Sequence, residues 1–260
     1  MGWHSFVAVG DSFTEGLDDP DPSGKGYRGW ADLVASRLAV DAVAAGGEFR
    51  YANLAVRGRL FGGVAEEQLP RTLAMKPDLV SFAAGGNDAL RRTFDGPALM
   101  ARFEEVIATL RGAGADVLVF RFVDLSVRLP AGRIIRPRTE FLNDAIAVVA
   151  ARQGARLVEL SADAELALNT AMWSEDRLHL STAGHHRVAA HVLTALGVAP
   201  DPVWLAVPPA SVRRSWPSAR VADARWAARH LAPWVKRRIT GRSSGDLVVA
   251  KRPNLGPWSE

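Results

Sequence analysis

The chain has 260 residues, 48% of them apolar, and a formal charge of +4 from 32 Lys and Arg against 28 Asp and Glu. That length buries one large core, and the absence of cysteine excludes disulfides and thiolate chemistry. No stretch approaches the roughly 18 apolar residues of a membrane span, and the N-terminus lacks the basic and apolar regions of a secretory signal, so a cytoplasmic protein is expected. The charge is uneven. Residues 200–260 hold eleven Lys and Arg against four Asp and Glu, whereas the body is mildly acidic. This divides the chain into a body, 1–197, and a basic C-terminal extension, 198–260.

Short apolar runs alternate with longer amphipathic ones. "HSFVAVG" (4–10) reads as a buried strand, and residues 28–40 read as a helix. "FRYANLAV" (49–56) is a second strand, followed by a helix over 62–75. "DLVSFAAG" (78–85) is a third strand, and 98–114 a helix with Met100, Phe103, Ile107 and Leu110 on one side. "DVLVFRFV" (116–123) is a fourth strand. Residues 124–138, with two prolines, a glycine and four arginines, read as a long loop, either solvated or a lid facing substrate. A helix follows over 139–154, with Thr139 as its N-cap. "ARLVEL" (155–160) is a fifth strand, and a last body helix spans about 182–196. Strand–helix alternation of this kind predicts a parallel sheet covered on both faces, with ligands bound beyond the carboxyl ends of its strands.

The extension opens with a proline-rich wrap over 198–220, in which Trp204, Leu205 and Val207 are candidates to pin it to the body. A short helix over 221–232 ends near Pro233. Residues 240–246 read as flexible and the last residues as loose. Docking across the acidic body or a homodimer contact suits this composition better than binding to membrane phosphates or nucleic acid.

The strand ends carry the chemistry. Ser12 follows the first strand in "GDSFTEG". Asn53 and Gly58 follow the second, and Gly85, Gly86, Asn87 and Asp88 the third. Asp176 and His179 stand three residues apart in "SEDRLHLSTAGHH". A serine hydroxyl needs a base, an imidazole titrates in the right range, and a carboxylate three residues away can hold its second nitrogen. The N–H groups of Ser12 and Gly58 and the side-chain amide of Asn87 are suited to stabilise an oxyanion. Asp11 and Asp88 read as turn anchors, Glu15 as a helix opener or a substrate contact, and Arg91 and Arg92 as a solvated face. His185 and His186 read as structural, not as metal ligands. No phosphate-binding glycine fingerprint is present.

In the same order, these four blocks resemble those of the SGNH hydrolases, the GDSL-type esterases and lipases, over residues 5 to about 197, although Phe13 stands where the family name has Leu. The resemblance implies a three-layer α/β/α flavodoxin-like sandwich with a five-stranded parallel sheet. It implies ester hydrolysis through an acyl-Ser12 intermediate, with His179 as base and then acid, Asp176 orienting it, and Ser12, Gly58 and Asn87 forming the oxyanion hole. It implies no metal and no organic cofactor. The expected partner is a small-molecule ester, with hydrolysis of small acyl esters the first reading. Deacetylation or acyl transfer on a sugar or metabolite, with the arginine-bearing loop selecting a polar partner, remains open, as does a lysophospholipase or thioesterase activity. A non-enzymatic binding module anchored by the tail is the reading from another class.

Overall fold

The structure is a computed structural model and describes residues 2–24, 26–129, 132–209, 216–240 and 243–258. Its centre is a six-stranded sheet of order β5-β4-β3-β1-β2-β6. The strands are β1 (Ser5–Gly10), β2 (Arg50–Asn53), β3 (Leu79–Ala83), β4 (Asp116–Arg121), β5 (Arg156–Glu159) and β6 (Arg252–Pro257). The first five run parallel, as the alternation predicts; β6 lies antiparallel to β2.

Helices cover both faces: α2 (Trp30–Ala44) and α9 (Thr182–Ala195) on one, α6 (Gly96–Gly112) and α7 (Gly132–Gln153) on the other. The period-two pleat explains why β1 is buried throughout. Phe6 and Ala8 join the cluster under α2 and α9, and Val7 and Val9 the one under α6 and α7. A helical stretch over Phe61–Met75 connects β2 to β3. It comprises α3 (Phe61–Gly63), a π-helical turn (Val64–Gln68) and α4 (Leu69–Met75). The remaining body helices are α1 (Ser12–Glu15), α5 (Gly86–Ala89) and α8 (Ala164–Leu168).

Two expectations give way. Most of the segment 124–138 is not a loop: after a 3-10 turn (Leu125–Val127), α7 begins at Gly132, and Pro130 and Ala131 lie outside the described residues. Pro137 sits inside the helix and Thr139 bonds back to the Ile135 carbonyl, so it is no N-cap. Tertiary contacts overrule the breakers: Ile135 is buried, and the Arg138 guanidinium bonds the carbonyls of Ala89 and Arg91. Residues 252–258 are also not loose; residues 259–260 lie outside the described set. β6 pairs with β2, and the Trp258 N–H bonds the Phe49 carbonyl. A strand with prolines at 253 and 257 has no local signature of a strand; partner pairing creates it.

The extension otherwise carries one long helical run: α10 (Trp216–Trp226), a π-helical turn (Ala227–Leu231) and α11 (Ala232–Ile239). It therefore continues past Pro233, which sits in the first turn of α11, where a missing N–H is tolerated. Trp204 stacks on His186 at 5.5 Å, and the Leu205 carbonyl accepts the Arg187 guanidinium at 3.0 Å, but the side chains of Leu205 and Val207 are exposed. Of the stretch 240–246, residues 241–242 lie outside the described set and 243–246 pack beside Gly58. Among the described residues, no helix is long and apolar enough to cross a membrane.

Candidate active site

β1, β2 and β3 end side by side, and each end turns at once into a short helix or loop. The reversal of strand order falls between β1 and β3, so a crevice opens there. Ser12 opens α1, whose N-cap is Asp11; the Asp11 carboxylate accepts the Phe13 N–H at 3.1 Å. Gly10 comes within van der Waals range of the Ala83 carbonyl: a Cβ there would lie 2.5 Å from that oxygen. Its N–H and carbonyl are both held at 2.9 Å by the side-chain amide of buried Gln68. Asn53 bonds the Thr14 carbonyl at 3.0 Å, closing the turn from the other side.

His179 comes from the loop before α9. Its Nε2 lies 3.0 Å from Ser12 Oγ and its Nδ1 2.5 Å from Asp176 Oδ2. The second Asp176 oxygen accepts the N–H groups of Leu178 and His179, both at 2.9 Å. Burial alone would lower the His179 pKa, but the hydrogen bond and charge of Asp176 outweigh it and raise the value. Burial likewise opposes ionisation of Asp176, yet its bonds to His179 hold it well below the usual carboxylate range. The pair is therefore an ionised carboxylate beside an imidazole that takes up a proton readily.

Asn87 lies in the first turn of α5, and its amide hydrogens go to Asp11 Oδ2 (2.9 Å) and the Arg59 carbonyl (3.1 Å). Burial raises the Asp11 pKa to about 6. Asp88 accepts the Phe61 N–H at the start of α3 at 2.9 Å, which ties the third strand end to the segment that follows Gly58. Gly58 has a left-handed φ of 73°, and a Cβ there would strike the Ser243 hydroxyl. Neither the Ser12 nor the Gly58 N–H has an acceptor among the described residues. Hydrogen bonds thus join Ser12, His179 and Asp176 in line, and Asn87 is tied to the Ser12 turn through Asp11 and to the Gly58 loop through the Arg59 carbonyl.

Other expectations resolve differently. Glu15 is buried and accepts the Arg57 N–H at 2.7 Å and its guanidinium, so it shapes the Gly58 loop and does not face substrate. His185 bonds the Trp30 N–H and the Leu17 carbonyl, each at 3.3 Å, and burial lowers its pKa to about 4; it is a neutral core histidine. Asp18, Asp176 and His179 bring ligand-type atoms within 4.8 Å of one another. Both imidazole nitrogens are already committed to Ser12 and Asp176, so this donor set does not fit a metal.

Sequence reasoning missed Gln68, Ser174 and Asn143. Ser174 Oγ sits 2.7 Å from Asp176 Oδ1 and 2.6 Å from Asp18. Asn143 clasps the Phe122 backbone from both sides at 2.8 Å, as Gln68 clasps Gly10. The only signal for either amide is a polar residue on the buried face of a helix.

A cavity of about 130 Å³ opens beside Ser12 and His179. Besides Ser12 and His179, the polar lining is Asp11, Asn87, Thr139, Asn143 and His185; the rest of the wall is apolar, with Phe122, Ile135, Leu142 and Trp173 among it. Phe13 stands edge-on to Phe120 and Phe122, at 5.5 and 5.7 Å, and forms part of the same wall. Segment 124–138 does border the cavity, but through Leu125 and Ile135. Of its arginines, Arg128 and Arg138 spend their guanidinium groups on carbonyls of the protein.

A parallel α/β sheet with a serine, an imidazole and a carboxylate in line at its carboxyl edge defines a hydrolase of acyl esters in its general class. The comparisons narrow this. The model of the GDSL-like lipase/acylhydrolase family matches residues 8–187, and the chain belongs to that family. It is a carboxylic ester hydrolase. Among solved structures it is similar to TesA (27% identity, 74% of this chain and 97% of that one, TM-score 0.59). It also resembles the acetylxylan esterase Axe2 from Geobacillus stearothermophilus (19%, 75% and 94%, TM-score 0.61). A third is the hydrolase LAE5 from the metagenome of Lake Arreo, Spain (23%, 76% and 97%, TM-score 0.59). The last two likenesses concern the fold. No curated protein matches the chain.

Proposed function

We propose that the protein is a serine esterase whose acyl group enters the apolar cavity while Ser12 attacks the ester carbonyl. The observation that carries this is the unbroken line Ser12 Oγ–His179 Nε2, His179 Nδ1–Asp176, at the mouth of that cavity. His179 Nε2 takes the hydroxyl proton as the new C–O bond forms. The negative oxygen is met by the N–H groups of Ser12 and Gly58. The Asn87 amide becomes the third donor by trading one of its present acceptors, the Asp11 carboxylate or the Arg59 carbonyl, for the substrate oxygen. Collapse expels the alcohol, which receives the proton from His179, and leaves acyl-Ser12. Water activated by the same imidazole repeats the sequence and releases the acid. Asp176 stays ionised and stabilises the imidazolium. In this reading residues 1–197 are the catalytic unit and 198–260 its extension.

The lining favours an alkyl acyl chain over acetyl, because each buried methylene contributes about 0.8 kcal/mol. The test is a series of chromogenic esters from acetyl to dodecanoyl, run beside Ser12→Ala. A kcat/KM that rises with chain length before falling is expected, with loss of roughly 10³-fold or more in Ser12→Ala. Best turnover of acetyl esters would overturn the pocket assignment, and full activity in Ser12→Ala the mechanism.

A further inference from the structure

The family match ends at residue 187, yet the extension reaches back to both halves of the site. The loop that carries Asp176 and His179 is a small hairpin. Its ends are joined by a bridge between Trp173 and Leu180 and by the Ser174 N–H on the His179 carbonyl at 2.9 Å. Its tip is Arg177, a non-glycine residue at a left-handed φ of 64°. Such a conformation costs about 1 kcal/mol or more and persists only where the surroundings hold it. The Arg177 N–H closes a turn on the Ser174 carbonyl at 3.1 Å, and from outside the hairpin α10 holds it. The Trp226 indole N–H bonds the Asp176 carbonyl at 3.0 Å, the Arg177 guanidinium lies over the Trp226 ring at 4.7 Å, and Arg177 also pairs with Asp223 at 2.7 Å. Three contacts from one helix face fall on the two residues adjoining the imidazole-bearing turn.

On the other side of the crevice, Ser243 Oγ bonds the Gly58 carbonyl at 3.3 Å, and Gly245 lies so close to the Arg57 carbonyl that a Cβ would come within 2.1 Å of it. Further along, the Lys251 ammonium donates to the Glu15 carbonyl at 2.6 Å and pairs with Asp32. Each contact falls on a catalytic-side turn: the Asp176 loop, the Gly58 loop, the end of α1.

We propose that the extension is a positioning element of the active site, with Trp226 as its main positioning residue. Its indole N–H and ring fix the plane of the Asp176–Arg177 peptide and so the aim of the Asp176 carboxylate at His179. It touches no reacting atom. The proposal rests on the assignment of His179 as base.

Trp226→Phe keeps a ring under Arg177 and removes the N–H; Asp223→Asn weakens the Arg177 side without touching the core. Each is made in the full chain, with active sites counted by fluorophosphonate labelling so that rates refer to folded enzyme. Trp226→Phe is expected to lose about 5- to 20-fold in kcat with KM within about twofold, Asp223→Asn about two- to fivefold, from geometric misplacement of the base. In both, the acid limb of kcat/KM moves to lower pH, because a loosened Asp176 raises the His179 pKa less. Val221→Ser, exposed on the same helix, leaves rate and limb unchanged. If Trp226→Phe and Asp223→Asn lower only the melting temperature while rate per labelled site and pH limb match the parent, the extension is merely structural and the proposal fails. Should Trp226→Phe not fold, Asp223→Asn decides alone. Undiminished activity in Ser12→Ala would fail the underlying mechanism instead, and separately.

Discussion

The nucleophile turn and the acid–base loop meet at one hydrogen bond, but they are held by different means. Ser12 sits on a turn fixed from beneath by buried groups: the Gln68 amide on Gly10, Asn53 on Thr14, Asp11 on Phe13. His179 sits on a hairpin held at its margins, through Ser174, Asp18 and the partly exposed contacts of α10. The turn is therefore coupled to the stability of the sheet, whereas the loop is adjustable without disturbing the core. In this family chain the attacking atom is fixed and the proton acceptor is tuned.

The contrast is broken most severely at the two atoms that face each other. Ser12→Ala and His179→Ala are each expected to lose roughly 10³- to 10⁵-fold in kcat, and the double variant no more than the worse single one, because the two act as a unit. Single-turnover assays with the double-mutant comparison check this. Asp176→Asn is expected to lose about 10²- to 10⁴-fold, as the amide favours the wrong imidazole tautomer. Its pH profile sharpens the point. In the parent, the base works only when neutral and its pKa is raised, so the acid limb lies above the ordinary imidazole value of about 6.5. Without the Asp176 charge, burial is opposed only by the weaker pull of Asp18 and Asp11, and the limb moves below the parent's.

The smallest effect separates the regions most cleanly. Gln68→Leu leaves the buried Gly10 N–H without its acceptor and its carbonyl with the Val56 N–H alone, at 3.3 Å, a cost of about 1–3 kcal/mol of stability. Chemical denaturation should show that loss together with a reduced rate. The acid limb, in contrast, should stay in place, since neither Asp176 nor His179 is touched. A shifted limb in Gln68→Leu would mean that turn and loop are not independent.

Much of this was legible in the residues. The five parallel strands, the helices between them, and Ser12, Gly58, Asn87, Asp176 and His179 carry local patterns, because apolar period and turn chemistry are written into neighbouring positions. What holds them is not written that way. Gln68 reaches Gly10 across 58 residues, Glu15 reaches Arg57 across 42, and Trp226 reaches Asp176 across 50. No short window contains such pairs. The start of α7 was hidden by prolines and a glycine whose breaking tendency is overruled by the burial of Ile135 and the bonds of Arg138. For β6, pairing with β2 supplies everything and propensity nothing.

That last strand has one more consequence. An unpaired strand at the margin of a sheet is a template on which another chain can stack. Here β2 does not offer one, and its replacement is a poor template. Pro253 and Pro257 have no N–H to donate, and the guanidinium groups of Arg71 and Arg50 already occupy the Pro253 and Leu255 carbonyls at 2.8 Å. On this side the sheet is finished with a seam that resists growth.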